Sequence, residues 1–236
     1  GVAMGAFVDV GDNTYTGTYT VAEGNTDHLA VGTIPVSVVL TDVAGNSNVA
    51  FTGAPTTATT VTIDANQPTA SAPISVAQTL KSLDVSTSTV QSTEAGNIYL
   101  VKNGVAAATQ ANIDAAVTAN DAFLGKGSAV AVTPYTVTLA AGLNDGVYDI
   151  VAVDDAGNVS AIVPGWLTVD NTAPVVTGVS IASGGYKVGS VIAITISADG
   201  NPYTAGAITI NGVAMGAFVD VGDNTYTGTY TVAEGN

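Results

Sequence analysis

Apolar and polar residues alternate with a period of two along most of this chain. In VIAITISA, Ile192, Ile194 and Ile196 share one face, and in IPVSVVL the face is shared by Ile34, Val36, Val38 and Leu40. Successive side chains of a strand point to opposite faces, so this spacing predicts half-buried antiparallel strands. Tyr15, Tyr19 and Val21 line a third strand, with Gly17 between the tyrosines; Ile98 and Leu100 mark one in NIYLV, and Val147, Val151 and Val153 mark one in GVYDIVAV. Thr and Val fill the positions between, residues that suit a pleated surface. Turn clusters GDN, AGN, NDG and ADGN interrupt the strands at the intervals of a sandwich. Residues 107–122 break the pattern: AATQANIDAAVTANDA has helical propensity but no apolar stripe, and fits a short helix or a loop.

The strand count gives an all-β chain of tandem Greek-key β-sandwiches of about seven strands each, the immunoglobulin-like architecture. The frame comes from an internal repeat. Residues 1–25, GVAMGAFVDVGDNTYTGTYTVAEGN, recur unchanged as residues 212–236, an offset of 211 residues. Such identity points to an array of near-identical units, of which this chain is one unit plus overlap, with arbitrary ends. Two linkers subdivide the unit: in IDANQP, Asp64 stands four residues before Pro68, and in VDNTAP, Asp170 stands four before Pro174. They lie 106 residues apart and leave 105 of the period, so each part can bury its own core. The expected division is residues 1–67 as the C-terminal part of a split domain, 68–174 as a complete domain, and 175–236 as the N-terminal part of the split type.

Composition narrows the function. Asp and Glu total 19 against four Lys and no Arg, a formal net charge of -15. Such a surface repels phosphate backbones and anionic lipid, which excludes nucleic-acid binding. Charged residues are only 10% and apolar ones 47%, the opposite of a disordered chain. Cysteine is absent, which removes disulfides and thiolate metal sites, and a single His makes zinc a poor expectation. No apolar run is long enough for a membrane span, and no basic-then-apolar leader opens the sequence.

The carboxylates carry the candidate chemistry. Asp42 opens DVAGN and Asp154 opens DDAGN, each four residues before an Asn and each between the last two strands of its domain. In a sandwich that turn lies at the end facing the preceding linker, and so does the turn between the second and third strands, which carries Glu94 in one domain and Asp199 in the other. Asp64, Glu94, Asp154 and Asp155 are expected to converge at the first junction. Asp170, Asp199 and the Asp42 position of a following repeat would converge at the next. Three or four carboxylates at one spot repel unless a cation neutralises them, and all-oxygen ligation suits Ca2+, whereas Mg2+ keeps more water. The competing explanation is that each Asp caps its own turn, as Asp and Asn do routinely.

Other groups read more plainly. Asp9, Asp12 and Asn13, repeated as Asp220, Asp223 and Asn224, lack calcium-loop spacing and fit a hairpin turn. Glu23 and Asp27 could hold a second cation but read as a solvated loop. His28 has no nucleophile and base set around it and reads as a surface residue. Trp166 reads as packing rather than a sugar platform, and Asp114 and Asp121 as solvent-facing. No glycine-rich phosphate loop opens a helix.

Taken together, these segments have a familiar form. Residues 173–236 continued by 26–68, with GGYKVGSVIAITI, YTGTYTVAEGNTDHLAV and LTDVAGN, resemble the bacterial immunoglobulin-like repeats of giant surface adhesins and biofilm-associated proteins. Residues 68–174, with STEAGNIYLVKNG, VAVDDAGNVS and VDNTAP, look like a second repeat type that alternates with the first. The resemblance implies an extracellular stalk on a bacterial surface, an extender region in which Ca2+ at domain junctions stiffens a chain of sandwiches. It departs at DANQP, where Ala65 follows Asp64 and Asn66 comes one place later, unlike Asp170-Asn171. The G-G-x-G-x-D nonapeptides of one adhesin group are absent. The expectation is thus a non-enzymatic spacer whose partners are neighbouring repeats. The alternative is a filament subunit, completed end to end by strand exchange between chains.

Overall fold

A computed structural model describes residues 3–32, 34–53 and 61–235. The chain divides into two compact units, Gly1–Asn171 and Thr172–Asn236, with the division inside the DNTAP linker. Strands account for 45% of the chain, which makes it an all-β protein.

The first unit opens with a hairpin of β1 (Gly5–Gly11) and β2 (Thr14–Thr18), then pairs β3 (His28–Gly32) with β4 (Val61–Ile63). Between these, the DVAGN turn closes a small ladder through the bridges Val38↔Phe51 and Thr41↔Ser47. None of residues 3–29 and 34–53 is buried, so the alternation at Val38 and Leu40 presents an apolar face that the described residues leave open.

From residue 70 the unit builds a core. The strands are β5 (Ala70–Ser71), β6 (Thr79–Leu80), β7 (Val85–Ser92), β8 (Gly96–Lys102), β9 (Ala122–Ala129), β10 (Tyr135–Thr138), β11 (Gly146–Asp154) and β12 (Val163–Val169). One sheet has the order β10-β7-β5, the other β6-β12-β11-β8-β9. Val90 and Val137 of the first pack with Ile98, Leu100, Tyr148, Ile150 and Trp166 of the second in one cluster. Burying each such side chain contributes about 1.5–3 kcal/mol. Trp166 is thus a core residue.

The outer face of β8 and β11 is covered too. Helix α1 (Gln110–Thr118) starts at Thr109, whose hydroxyl accepts from the Asn112 amide, and it buries Ile113 and Ala116 against Val101, Val151 and Val153. The helix needs only two apolar contacts, which is why its sequence shows no broad stripe. Because both faces of β11 are covered, burial runs on continuously after Val147, and apolar residues fill the positions from Ile150 to Val153 without alternation.

The second unit contains β13 (Val176–Ile181), β14 (Val191–Ala198), β15 (Thr209–Ile210), β16 (Val213–Ala214), β17 (Gly216–Gly222) and β18 (Thr225–Thr231). Its main sheet has the order β13-β14-β18-β17, with β15 and β16 as a separate hairpin. Ile192, Ile194 and Ile196 bury one face with Tyr226 and Tyr230, as their spacing predicts.

Candidate metal centre at the 64–67 linker

The DVAGN and DDAGN turns have one design. In each, the Asp amide donates to the Asn carbonyl four residues on, and the Gly amide donates back to the Asp carbonyl. The carboxylate then fixes the turn from inside. Asp42 Oδ1 accepts from the Asn46 amide at 2.8 Å, and its Oδ2 accepts from Asn46 Nδ2 at 3.0 Å. Asp154 Oδ1 accepts from the amides of Ala156 and Asn158, both at 2.9 Å, and its Oδ2 from Asn158 Nδ2 at 2.8 Å. These bonds hold the Asp42 carboxyl below the usual range, the Asn46 side chain contributing most. Turn capping therefore accounts for Asp42 by itself.

At Asp154 there is more. One oxygen each from Asp64, Glu94 and Asp154 lie within 4.8 Å of one another. Asp64 follows directly on β4, Glu94 sits in the turn between β7 and β8, and Asp154 closes β11. The three are brought together by close backbone contacts. Gly96 faces Asp154 across the β8–β11 ladder with φ +146°, and a Cβ there would lie 2.1 Å from the Val153 carbonyl oxygen. Only glycine lets the turn carrying Glu94 approach β11 so closely. The same turn is tied to the start of the core by Thr69, whose amide donates to Thr93 Oγ1 at 2.8 Å.

The linker itself is clamped from both sides. Asn158 Nδ2 donates to the carbonyls of Asp64 and Asn66 at 3.2 and 3.3 Å. From the other side, Asp27 Oδ1 accepts from the Ala65 amide at 2.9 Å and its Oδ2 from Asn66 Nδ2 at 2.7 Å. Glu23 accepts from the Gln67 amide at 3.1 Å. Glu23 and Asp27 are therefore not a solvated loop: they grip the linker, and the displaced Asn66 of DANQP is the group that Asp27 grips. Their separation from Asp64 by some forty residues hid this pairing from sequence reading.

Burial pushes the Glu94 carboxyl above its usual range, and the charges of Asp64, Asp154, Asp27 and Glu23 push it the same way. The site is thus a concentration of negative charge. Oxygen ligands at 2.3–2.6 Å from Ca2+ can lie up to about 5 Å apart, so three oxygens within 4.8 Å fit around one such ion.

The remaining expected ligands are placed differently. Asp155 is exposed and outside the triad. In the first unit, the Asp170 amide donates to the Leu80 carbonyl, and Asn171 Nδ2 donates to the Leu143 carbonyl at 2.7 Å, so the exit from β12 is pinned to its own core. In the second unit, Asp199 Oδ1 accepts from the Val175 amide at 3.0 Å and from the Tyr203 hydroxyl at 2.9 Å, which lowers its pKa, the Val175 bond contributing most. His28 is half-buried rather than on the surface, with its Nε2 shielded. Asp9 and Asp220 each accept from the glycine amide two residues on, the plain turn expected of them. Asp114 is exposed and bonded to Gln110, while Asp121 is half-buried, 3.6 Å from Lys102 Nζ.

No protein-family model and no curated protein sequence matches the chain.

Proposed function

We propose that this chain is a non-enzymatic structural spacer of a repetitive bacterial surface adhesin, extracellular, in which Ca2+ at the 64–67 linker stiffens the connection between successive domains. The observation that carries this reading is the meeting of Asp64, Glu94 and Asp154 at a linker already gripped by Asp27, Glu23 and Asn158. A cation there would bond elements on both sides of the hinge. Its chemistry would be electrostatic: neutralising carboxylates that otherwise repel. A stiff connection needs the ion only at the hinge, because the core of residues 70–169 is built from apolar contacts.

The finer fold reading, an immunoglobulin-like Greek-key sandwich, is supported by two features. One sheet joins β5, β7 and β10 while the other joins β6, β12, β11, β8 and β9. Tyr148, early in β11, donates its hydroxyl to the Asn144 carbonyl at 2.9 Å, the corner such folds use at this position. The neighbours of this spacer are then further repeats of the same protein.

Calcium titration of the full chain by calorimetry, followed by small-angle scattering with and without chelator, tests the proposal. Binding with a narrower, more extended distance distribution is expected. Absence of binding at millimolar Ca2+ would overturn it.

A second reading, a filament subunit completed by strand exchange between chains, is favoured by a different observation. None of residues 3–29 and 34–53 is buried, although Tyr226, Gly228 and Tyr230 are buried where the repeated sequence recurs.

A further inference from the structure

The two copies of the repeated segment fold alike. Their registers match pair for pair: Gly5↔Thr18, Val8↔Thr16, Asp9↔Tyr15 and Gly11↔Thr14 correspond to Gly216↔Thr229, Val219↔Thr227, Asp220↔Tyr226 and Gly222↔Thr225. Asp12 and Asn13 have φ of 52° and 57°, and Asp223 and Asn224 have 49° and 58°. Phe7 stacks on Tyr15 at 5.1 Å, as Phe218 does on Tyr226 at 4.8 Å.

What differs is the cover. Tyr226 is 1% exposed and Tyr230 5%, while their counterparts Tyr15 and Tyr19 are 45% and 41% exposed. The second hairpin owes its burial to β14, which pairs with β18 over seven positions, from Val191↔Thr231 to Ser197↔Thr225, and lays Ile192, Ile194 and Ile196 beside the tyrosines, and to Tyr203, Ile208 and Ile210, which pack against them. Among the described residues, β2 has β1 as its only strand partner. One hairpin thus has its cover and, among the described residues, a hairpin of the same sequence lacks it.

Resting on the filament reading, we propose that the open edge of β2, with Tyr15 and Tyr19 beside it, is the docking surface for β14 of a second copy of this chain. The incoming hairpin takes the seat that β17–β18 occupies there. Identical sequence and matching register make the two hairpins interchangeable in that seat, with β2 extending by two residues to the length of β18. The incoming one also carries residues 26–53, whose exposed Val38, Leu40 and Phe51 gain a neighbour that the single chain does not give them. The contact is heterologous, one surface meeting a different one, so it propagates into a filament unless two chains exchange hairpins reciprocally and close a dimer. The resident hairpin competes from within its own chain at high effective concentration, and the net charge of -15 opposes approach, so association rises with ionic strength.

Sedimentation velocity of the full chain over a range of concentrations at 0.15 and 0.5 M salt tests this, with three variants. Weakening the resident hairpin with Tyr226→Asp and Tyr230→Asp should lower the concentration for assembly by about tenfold or more. Tyr15→Asp with Tyr19→Asp should abolish assembly, and all four substitutions together should leave a monomer. The melting transition of the 70–169 core reports that each variant stays folded there. If Tyr226→Asp with Tyr230→Asp remains monomeric, or if the fourfold variant associates equally well, the seat is refuted. Open-ended assembly that ignores Tyr15→Asp and Tyr19→Asp also refutes it but leaves the filament reading standing. A discrete dimer lost with Tyr15→Asp and Tyr19→Asp upholds the seat and overturns the filament.

Discussion

Asn158 binds its own turn and the linker with one amide group: Nδ2 lies 2.8 Å from Asp154 Oδ2 and 3.2 Å from the Asp64 carbonyl oxygen. Its counterpart Asn46 makes the first of these bonds to Asp42, so the turn is a self-contained unit and the linker contact is an addition. Asn158→Ala should therefore loosen the linker more than the core. Hydrogen exchange at residues 64–67 should rise sharply, while stability falls by about 1–2 kcal/mol in chemical denaturation.

Calcium affinity should depend on the three clustered carboxylates. Glu94→Gln or Asp154→Asn should weaken Ca2+ roughly tenfold or more, since ligand charge sets the field at the ion. Asp114→Asn, a bonded but exposed site on α1, should change affinity little. Equal losses from all three in calorimetry would remove the assigned centre.

Protons should compete with the cation at Glu94. Its carboxyl sits above the usual range, so in the metal-free protein its contribution to stability is full at acidic pH and is lost as the pH rises through that raised value. Calcium affinity should then fall as the pH is lowered through the same value, with a proton released on binding. In Glu94→Gln this release should vanish, which calorimetry in buffers of different ionisation enthalpy would detect.

Burial first, then the charges of Asp121 and Asp145, push the Tyr148 hydroxyl up to about 12. A raised pKa on an acid means stability present below pH ~10 and lost as the pH rises toward about 12. Denaturant midpoints measured from pH 8 to 12 should show this decline, and Tyr148→Phe should flatten it at a cost of about 1 kcal/mol at neutral pH.

Gly96 joins fold to site. Gly96→Ala forces a Cβ into the Val153 carbonyl and a side chain onto a positive φ, which should cost at least about 2 kcal/mol. Because the strain falls between Glu94 and Asp154, calcium affinity should drop with stability. An alanine variant that melts normally and binds normally would contradict the assigned packing.

Alternation alone located the strand at Ile192–Ile196, where one face is buried and the other is not, and the strand at Ile98–Leu100, whose outer face is only partly buried at Tyr99. It was less informative at β11, whose outward face lies under α1, because a helix with two buried residues leaves almost no periodic trace. The DxAGN spacing announced both Asp42 and Asp154 as turn residues. What it did not carry was which of the two meets further carboxylates, since that depends on Asp64 and Glu94 arriving from elements 90 and 60 residues before Asp154 in the chain. The grip of Asp27 and Glu23 on the linker was invisible for the same reason: its partners lie some forty residues on, and two of its bonds go to the backbone amides of Ala65 and Gln67, which select no residue type.

The parallel pairing of β6 with β12, Thr79 opposite Thr168 and Leu80 opposite Val169, bears on how this domain answers a pull. β6 lies near the entry to the 70–169 core and β12 leads to its exit. Tension applied at residues 68 and 171 drags these two strands in opposite directions along their length. The bonds from the Thr168 amide to the Gln78 carbonyl and from the Asp170 amide to the Leu80 carbonyl are then loaded together instead of opening one after another. Once the two-residue pairing of β5 with β7 gives way, this short patch, and not the long β8–β11 ladder, would carry the load, and its rupture would free the entry segment before the β8–β11 ladder opens.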